Sequence, residues 1–240
     1  KDSILKERYH KMKRSLYVTE FLLLLGSTVF AGDIATFVDL GFSPDSRYFM
    51  FAQYGLTEKE SYPYAETYIV DVKANTFVTG GVKKKRYEIV SYPGHDGIGA
   101  LFSILKTTST ETTKYKIDHL NTGRPLYILL NGQEPKETTE FRDFQTGRRY
   151  TVTLRQSSTG TGKTVSSSFS IKVVVELLSD GTKKEFVVGN PDYVRQGVAG
   201  YRIRQILVTP DQKSLIFVVE KDEADTSGKN VRYMIEAMMF

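Results

Sequence analysis

Two histidine–aspartate neighbours, His95-Asp96 and Asp118-His119, are the first places to look for chemistry in this chain. A histidine ring titrates near neutral pH and binds transition metals when neutral. A metal site would need further ligands from distant carboxylates. A serine triad would need an activated serine beside one of these rings, and no nucleophile-elbow motif is present. We therefore read both histidines as exposed loop side chains and expect no metal site and no cofactor.

Paired carboxylates could serve a glycosidase. Glu66 and Asp71 lie at positions of opposite parity on one strand and cannot act together. Glu134, Glu137, Glu140 and Asp143 fall in a stretch that reads as a polar loop. Ser157–Thr164 (SSTGTGKT) imitates a phosphate-binding loop, but the full pattern needs glycine where Ser157 stands. It also needs a helix afterwards, so that a helix N-terminus faces the phosphate. An alternating strand follows instead, which makes this a hairpin loop. Arg142, Arg148 and Arg149 flank a turn, where solvated charge is the simpler reading than an anion site. No catalytic residue can be assigned, although a hydrolase using carboxylates or His95 and His119 stays open as an alternative.

Tyr54, Tyr62, Tyr64 and Tyr68 cluster around one hairpin. Aromatic rings at such positions make ligand faces in carbohydrate and peptide binders. They also serve as half-buried sheet residues. These four are the candidate binding residues.

The elements that must position them are mostly strands. Residues 36–41 and 47–54 read as strands joined by the turn Ser43-Pro44-Asp45-Ser46, and Tyr64–Val72 alternates. Residues 82–90 carry Lys83, Lys84, Lys85 and Arg86 and read as a solvated edge strand or loop. Ile98, Leu101, Phe102 and Leu105 recur at helical spacing with Asp96 placed to cap them, which predicts one helix to about Lys106. The threonine-rich stretch after it is a poor helix former. Strands are expected at 125–130, 149–156, 168–178, 186–188, 201–208, 214–220 and 231–239, with a hairpin at Ser179-Asp180-Gly181-Thr182. The fold class is mainly β: antiparallel sheets in a sandwich or barrel-like arrangement with one or two short helices. Gly41–Phe51 is echoed by Leu207–Phe217, each a Pro-Asp turn between strands. The pattern resembles the repeat of periplasmic β-propellers, but a propeller repeats it in every blade.

A basic cluster (Lys11, Lys13, Arg14), an apolar run from Phe21 to Leu25 and the small-residue pattern Val29-Phe30-Ala31 read as a secretory leader cleaved after Ala31. Met12 is well placed as an alternative start. Residues 32–240 would then form a single exported β-rich domain without a membrane-spanning segment. The whole chain carries +5, but six of its 33 basic and three of its 28 acidic residues lie in 1–31. The remainder has 27 basic and 25 acidic residues, so it has no general electrostatic reason to seek nucleic acid. Cysteine is absent, which removes disulfides, thiolate metal sites and cysteine nucleophiles.

Leu40-Gly41-Phe42-Ser43-Pro44-Asp45, Phe51-Ala52-Gln53-Tyr54-Gly55 and Pro63-Tyr64-Ala65-Glu66, with Tyr68 and Val70-Asp71, carry a family resemblance. Gly197–Ile203 and Pro210-Asp211 extend it. On these residues the chain resembles a bacterial family of predicted secreted proteins of unknown function. The similarity covers most of 32–240 and is loose from Gly94 to Gly123. It implies export, to the periplasm or beyond, and one compact domain, and it transfers no site residues. The expected function is a non-enzymatic envelope module that binds a partner protein or a glycan, with a propeller-type scaffold as a further alternative.

Overall fold

A computed structural model describes residues 33–224 and 229–240. The expected leader, its expected cleavage after Ala31 and the alternative start at Met12 lie outside the described residues. Strand β12 (Ser214–Ala224) begins with seven consecutive buried residues, Ser214 to Glu220. A strand buried on both faces must lie between two layers. Leu215, Phe217 and Val219 enter one core cluster, and Ile216 and Val218 enter another. Each such side chain stabilises the fold by about 1.5–3 kcal/mol on burial.

Three antiparallel sheets follow from this. Sheet A is the meander β1 (Thr36–Phe42), β2 (Tyr48–Leu56), β3 (Pro63–Asp71) and β4 (Thr76–Arg86). Sheet B has the order β13-β12-β11-β5, from Lys229–Met239, β12, Val198–Val208 and Arg124–Ile128. Sheet C joins β6 (Thr138–Asp143), β7 (Arg148–Thr159) and β8 (Ser166–Leu177). Both β9 (Lys183–Val188) and β10 (Arg195–Gln196) pair with β8. Sheet B is the filling: one face packs on C and the other on A. On the far side of A, Met50, Ala52 and Tyr54 pack against helix α1 (Ile98–Leu105). The layers therefore run helix, A, B, C. The mainly β, antiparallel expectation holds; among the described residues there are three stacked sheets, no closed barrel and no buried cluster that joins A directly to C, so the stack is open rather than a ring of blades.

Two local readings are corrected. Glu140 and Asp143 lie on β6, not in a loop. Asp143 is buried, with Arg124 Nη2 at 2.8 Å and the Thr146 hydroxyl at 2.6 Å, so charge that looked solvated is structural. The threonine-rich segment forms a second helix, α2 (Ser109–Lys114). Tertiary contacts override its weak propensity: Lys83 Nζ bonds Glu111 at 2.7 Å, and Tyr115 packs edge-on against Tyr48 with ring centres 4.9 Å apart.

The two Pro-Asp turns adopt one conformation. Ser43 N–H donates to Tyr48 C=O at 2.9 Å, and Thr209 N–H to Ser214 C=O at 3.0 Å. Ser43 and Thr209 hydroxyls donate to Asp45 and Asp211 at 2.6 and 2.7 Å. Ser46 and Gln212 both take left-handed φ, 57° and 59°. The turns also touch, through Asp211 N–H to Ser46 Oγ at 3.2 Å. Nearby, β1 bulges at Gly41, whose φ of 97° lets its backbone pass under the Asp118 carbonyl; a Cβ there would sit 2.1 Å from that oxygen.

Candidate functional site

The tyrosines of the first hairpin are spread over two layers. Tyr54 packs toward α1, whereas Tyr64 and Tyr68 lie in the core between sheets A and B. Tyr62 is half-buried with the Arg86 guanidinium 5.9 Å from its ring centre. Tyr64 hydroxyl donates to Asp33 Oδ1 at 2.8 Å, and Arg232 Nη2 donates to Asp33 Oδ2 at 2.6 Å. Burial pushes the Tyr64 phenol far above its ordinary range, and that of Tyr68 likewise.

Tyr68 belongs to a second buried polar group. Its hydroxyl donates to Glu66, and Gln53 Nε2 donates to the same carboxylate at 2.6 Å. Gln53 Oε1 accepts from Tyr233 N–H at 2.7 Å, which ties sheet A to strand β13. Burial would raise the Glu66 carboxyl, but the Tyr68 hydroxyl, Lys84 and Gln53 more than offset it and hold it below the ordinary glutamate range.

The histidines do not meet. His95 is exposed and edge-on to Tyr92, and His119 is exposed with its Nδ1–H donating to Leu40 C=O at 2.6 Å. Among the described residues no three histidine, aspartate or glutamate side chains gather as a metal site would need. The SSTGTGKT segment joins β7 to β8 by a short 3-10 turn at Gly162–Thr164, as expected of a hairpin loop.

A broad concavity of about 750 Å³ lies over the outer edge of β13. One wall is the β3–β4 turn. Asn75 takes a left-handed φ of 52° there, which asparagine tolerates. Its side chain caps β13: Oδ1 accepts from Ala237 N–H at 2.8 Å, and Nδ2 donates to Glu236 Oε2 at 2.5 Å. Beside it Phe77, 51% exposed, ends an aromatic row. Its ring lies 5.3 Å from Tyr68, which stacks 4.7 Å from Phe51. The opposite wall runs from β9 to β10. Gly189 turns the chain at φ 80°, and Asn190 Oδ1 accepts from Asp192 N–H at 2.9 Å. This presents Tyr193, 59% exposed, beside Arg195. Glu236, only 7% exposed, is the one acid lining the groove among the described residues. Burial pushes its carboxyl up, and the Asn75 bond and the Arg195 charge pull it only part of the way back.

Residues 50–239 match the model of a family described as predicted secreted protein (DUF2259). The chain belongs to that family. The matched span contains both walls and the floor of the groove. The family description supports a place outside the cytoplasm and assigns no activity. No curated protein matches the chain. Among the described residues no helix is long and apolar enough to cross a membrane.

Sequence reasoning missed the groove residues. Phe77 precedes the segment read as a strand, and Tyr193, Arg195 and Glu236 lie more than a hundred residues further on. Only Glu236 carried a signal, as an acid among the apolar residues of Val231–Met239.

Proposed function

We propose that this is a non-enzymatic binding module of the cell envelope, which holds a segment of a partner protein or a glycan in the groove over β13. The carrying observation is the pair of exposed aromatic rings, Phe77 and Tyr193, on its two walls. Concave, mostly apolar sites with a few fixed polar groups are the usual form of a ligand site. Of the first-hairpin tyrosines, Tyr68 contributes from beneath as the ring supporting Phe77. Tyr54 and Tyr64 hold the layers together, and Tyr62 is the one of the four with a partly free face. A carboxyl raised by burial is also what a general acid needs, but among the described residues Glu236 has no second carboxylate in the groove to act with.

The test is to immobilise the full chain and expose it to envelope extract and to a glycan array, with F77S/Y193S as the control. Retention by the wild type and loss in the folded control supports the reading. Turnover of any retained compound that E236Q abolishes would replace it with a hydrolase.

A further inference from the structure

Arg195 differs from the other arginines that hold the layers. Arg47, Arg124, Arg149, Arg202 and Arg232 each meet a carboxylate within 4 Å. Arg195 meets none among the described residues, and its buried Nη1 has no hydrogen-bond acceptor. Aromatic rings hold it instead: Tyr193, Phe169 and Tyr201 have centres 4.7, 5.1 and 5.9 Å from its guanidinium carbon. Rings attract a cation and fix its plane, but they do not accept five N–H bonds. A partly buried cation with unmet donors is costly unless something else completes it. Glu236, the acid of the same groove, bonds Asn75 through Oε2 and feels the Arg195 charge, but it makes no ion pair with Arg195 within 4 Å.

The floor of the groove adds a second unmet pair. Val231 N–H and C=O both point away from β12, to Asp33 and Ala35. The unbroken β12–β13 register gives Tyr233, Ile235 and Ala237 the same direction. Tyr233 N–H is taken by Gln53 and Ala237 N–H by Asn75. Among the described residues the N–H and C=O of Ile235, between them, meet no hydrogen-bond partner.

We propose that Arg195 is the receptor for a carboxylate, and that the ligand of this groove is a short peptide segment carrying that carboxylate near apolar side chains. The inference rests on the groove being a binding site. A carboxylate matches the guanidinium fork in charge and shape. An extended residue matches the Ile235 main-chain pair, as in recognition by an added strand. Phe77, Val187 and Ile235 supply the apolar contact. A neutral sugar would use the rings but leave the guanidinium without its carboxylate.

The experiment passes random tetrapeptide pools over the immobilised full chain. One pool has a free C-terminal carboxylate, one has a C-terminal amide, and one has a C-terminal amide with a fixed glutamate; digalacturonate is a fourth probe. The wild type should enrich the first or third pool at least about tenfold over the plain amide pool, the difference locating the carboxylate at the terminus or in a side chain. R195Q, checked for an unchanged melting curve, should lose that preference. The acid–amide comparison on the wild type needs no variant. Equal retention of all peptide pools, lost in F77S/Y193S but not in R195Q, overturns the role of Arg195 and leaves the groove as a binding site. Retention of digalacturonate with no peptide enriched overturns the peptide assignment. No probe retained above F77S/Y193S overturns both the inference and the reading on which it rests.

Discussion

Replacing Gln53 with leucine isolates the buried polar tie between sheets A and B. Leucine has nearly the volume of glutamine, so packing changes little. Two bonds go. Tyr233 N–H, now bonded at 2.7 Å, becomes a buried donor without an acceptor, which costs about 1–3 kcal/mol. Glu66 loses a 2.6 Å donor, and a hydrogen bond to a charged group is worth about 1.5–3 kcal/mol. The added apolar burial of leucine returns about 1 kcal/mol. The expected net loss is about 3 kcal/mol, or about 6–12 °C in melting temperature for a domain of this size. Tyr68→Phe removes the hydroxyl, which donates to Glu66 and accepts a long 3.3 Å bond from Gln53, and keeps the ring in its stack, so it should cost about 1–2 kcal/mol. Tryptophan is absent, so unfolding is followed by circular dichroism and tyrosine fluorescence. The Glu66 carboxyl lies below its ordinary range in the folded state, so its stabilisation is present above the unfolded value and fades as pH falls through the folded one. The gap between wild type and Q53L should therefore narrow on acidification. A Q53L melting temperature within 2 °C of wild type would refute the reasoning, because it would mean that Tyr233 N–H and Glu66 are satisfied by water.

Glu236→Gln keeps an oxygen for Asn75 and removes a carboxyl that burial pushes up. The ionised form then costs stability increasingly as pH rises above the ordinary glutamate value, so E236Q should gain on wild type between pH 4 and pH 8 in urea titrations; a gap independent of pH would show that this carboxyl is hydrated. Tyr150 is fully buried, and among the described residues no hydrogen bond of good geometry reaches its hydroxyl, although Arg148 and Thr146 lie beside it. Tyr150→Phe should leave stability unchanged or raise it by about 1 kcal/mol, and a loss of that size in urea would reveal a hidden partner. Gly41→Ala must find room 2.1 Å from the Asp118 carbonyl at a left-handed φ. It should cost about 3 kcal/mol or more, seen as a fall in soluble yield and melting temperature, while a wild-type melting curve would show that β1 can shift.

Strands were legible where one face is apolar. Phe169, Ile171, Val173 and Val175 alternate on β8 and all enter one core. Strand β6 was missed because its sequence, TTEFRD, shows no such stripe: its buried polar residue, Asp143, is held by Arg124 from another strand. Helix α2 was missed because its support comes from Lys83 and Tyr48, not from its own residues. The runs of β2 and β12 announce burial on both faces, but periodicity cannot say which sheets cover them, so the three-deep stack was out of reach. The Pro-Asp echo was visible and proves to be one turn built twice. The groove was invisible because its walls come from segments joined only by the fold, and because the aromatic cage that singles out Arg195 has no local pattern.

The order of strands in the stack sets the order in which the chain can fold. Sheet A is complete by Arg86 and sheet C by Gln196, yet each presents its apolar face to strands β11 to β13, which for sheet A lie at the far end of the sequence. Contacts of such sequence separation form late, after the entropy of closing a long loop has been met. The meeting of the two Pro-Asp turns, 165 residues apart, is the local sign of that closure. Until the last hairpin arrives, both outer sheets have oily faces and nothing to lay them on. A chain built this way completes its core only when strands β11 to β13 are available, which fits a member of a family described as secreted.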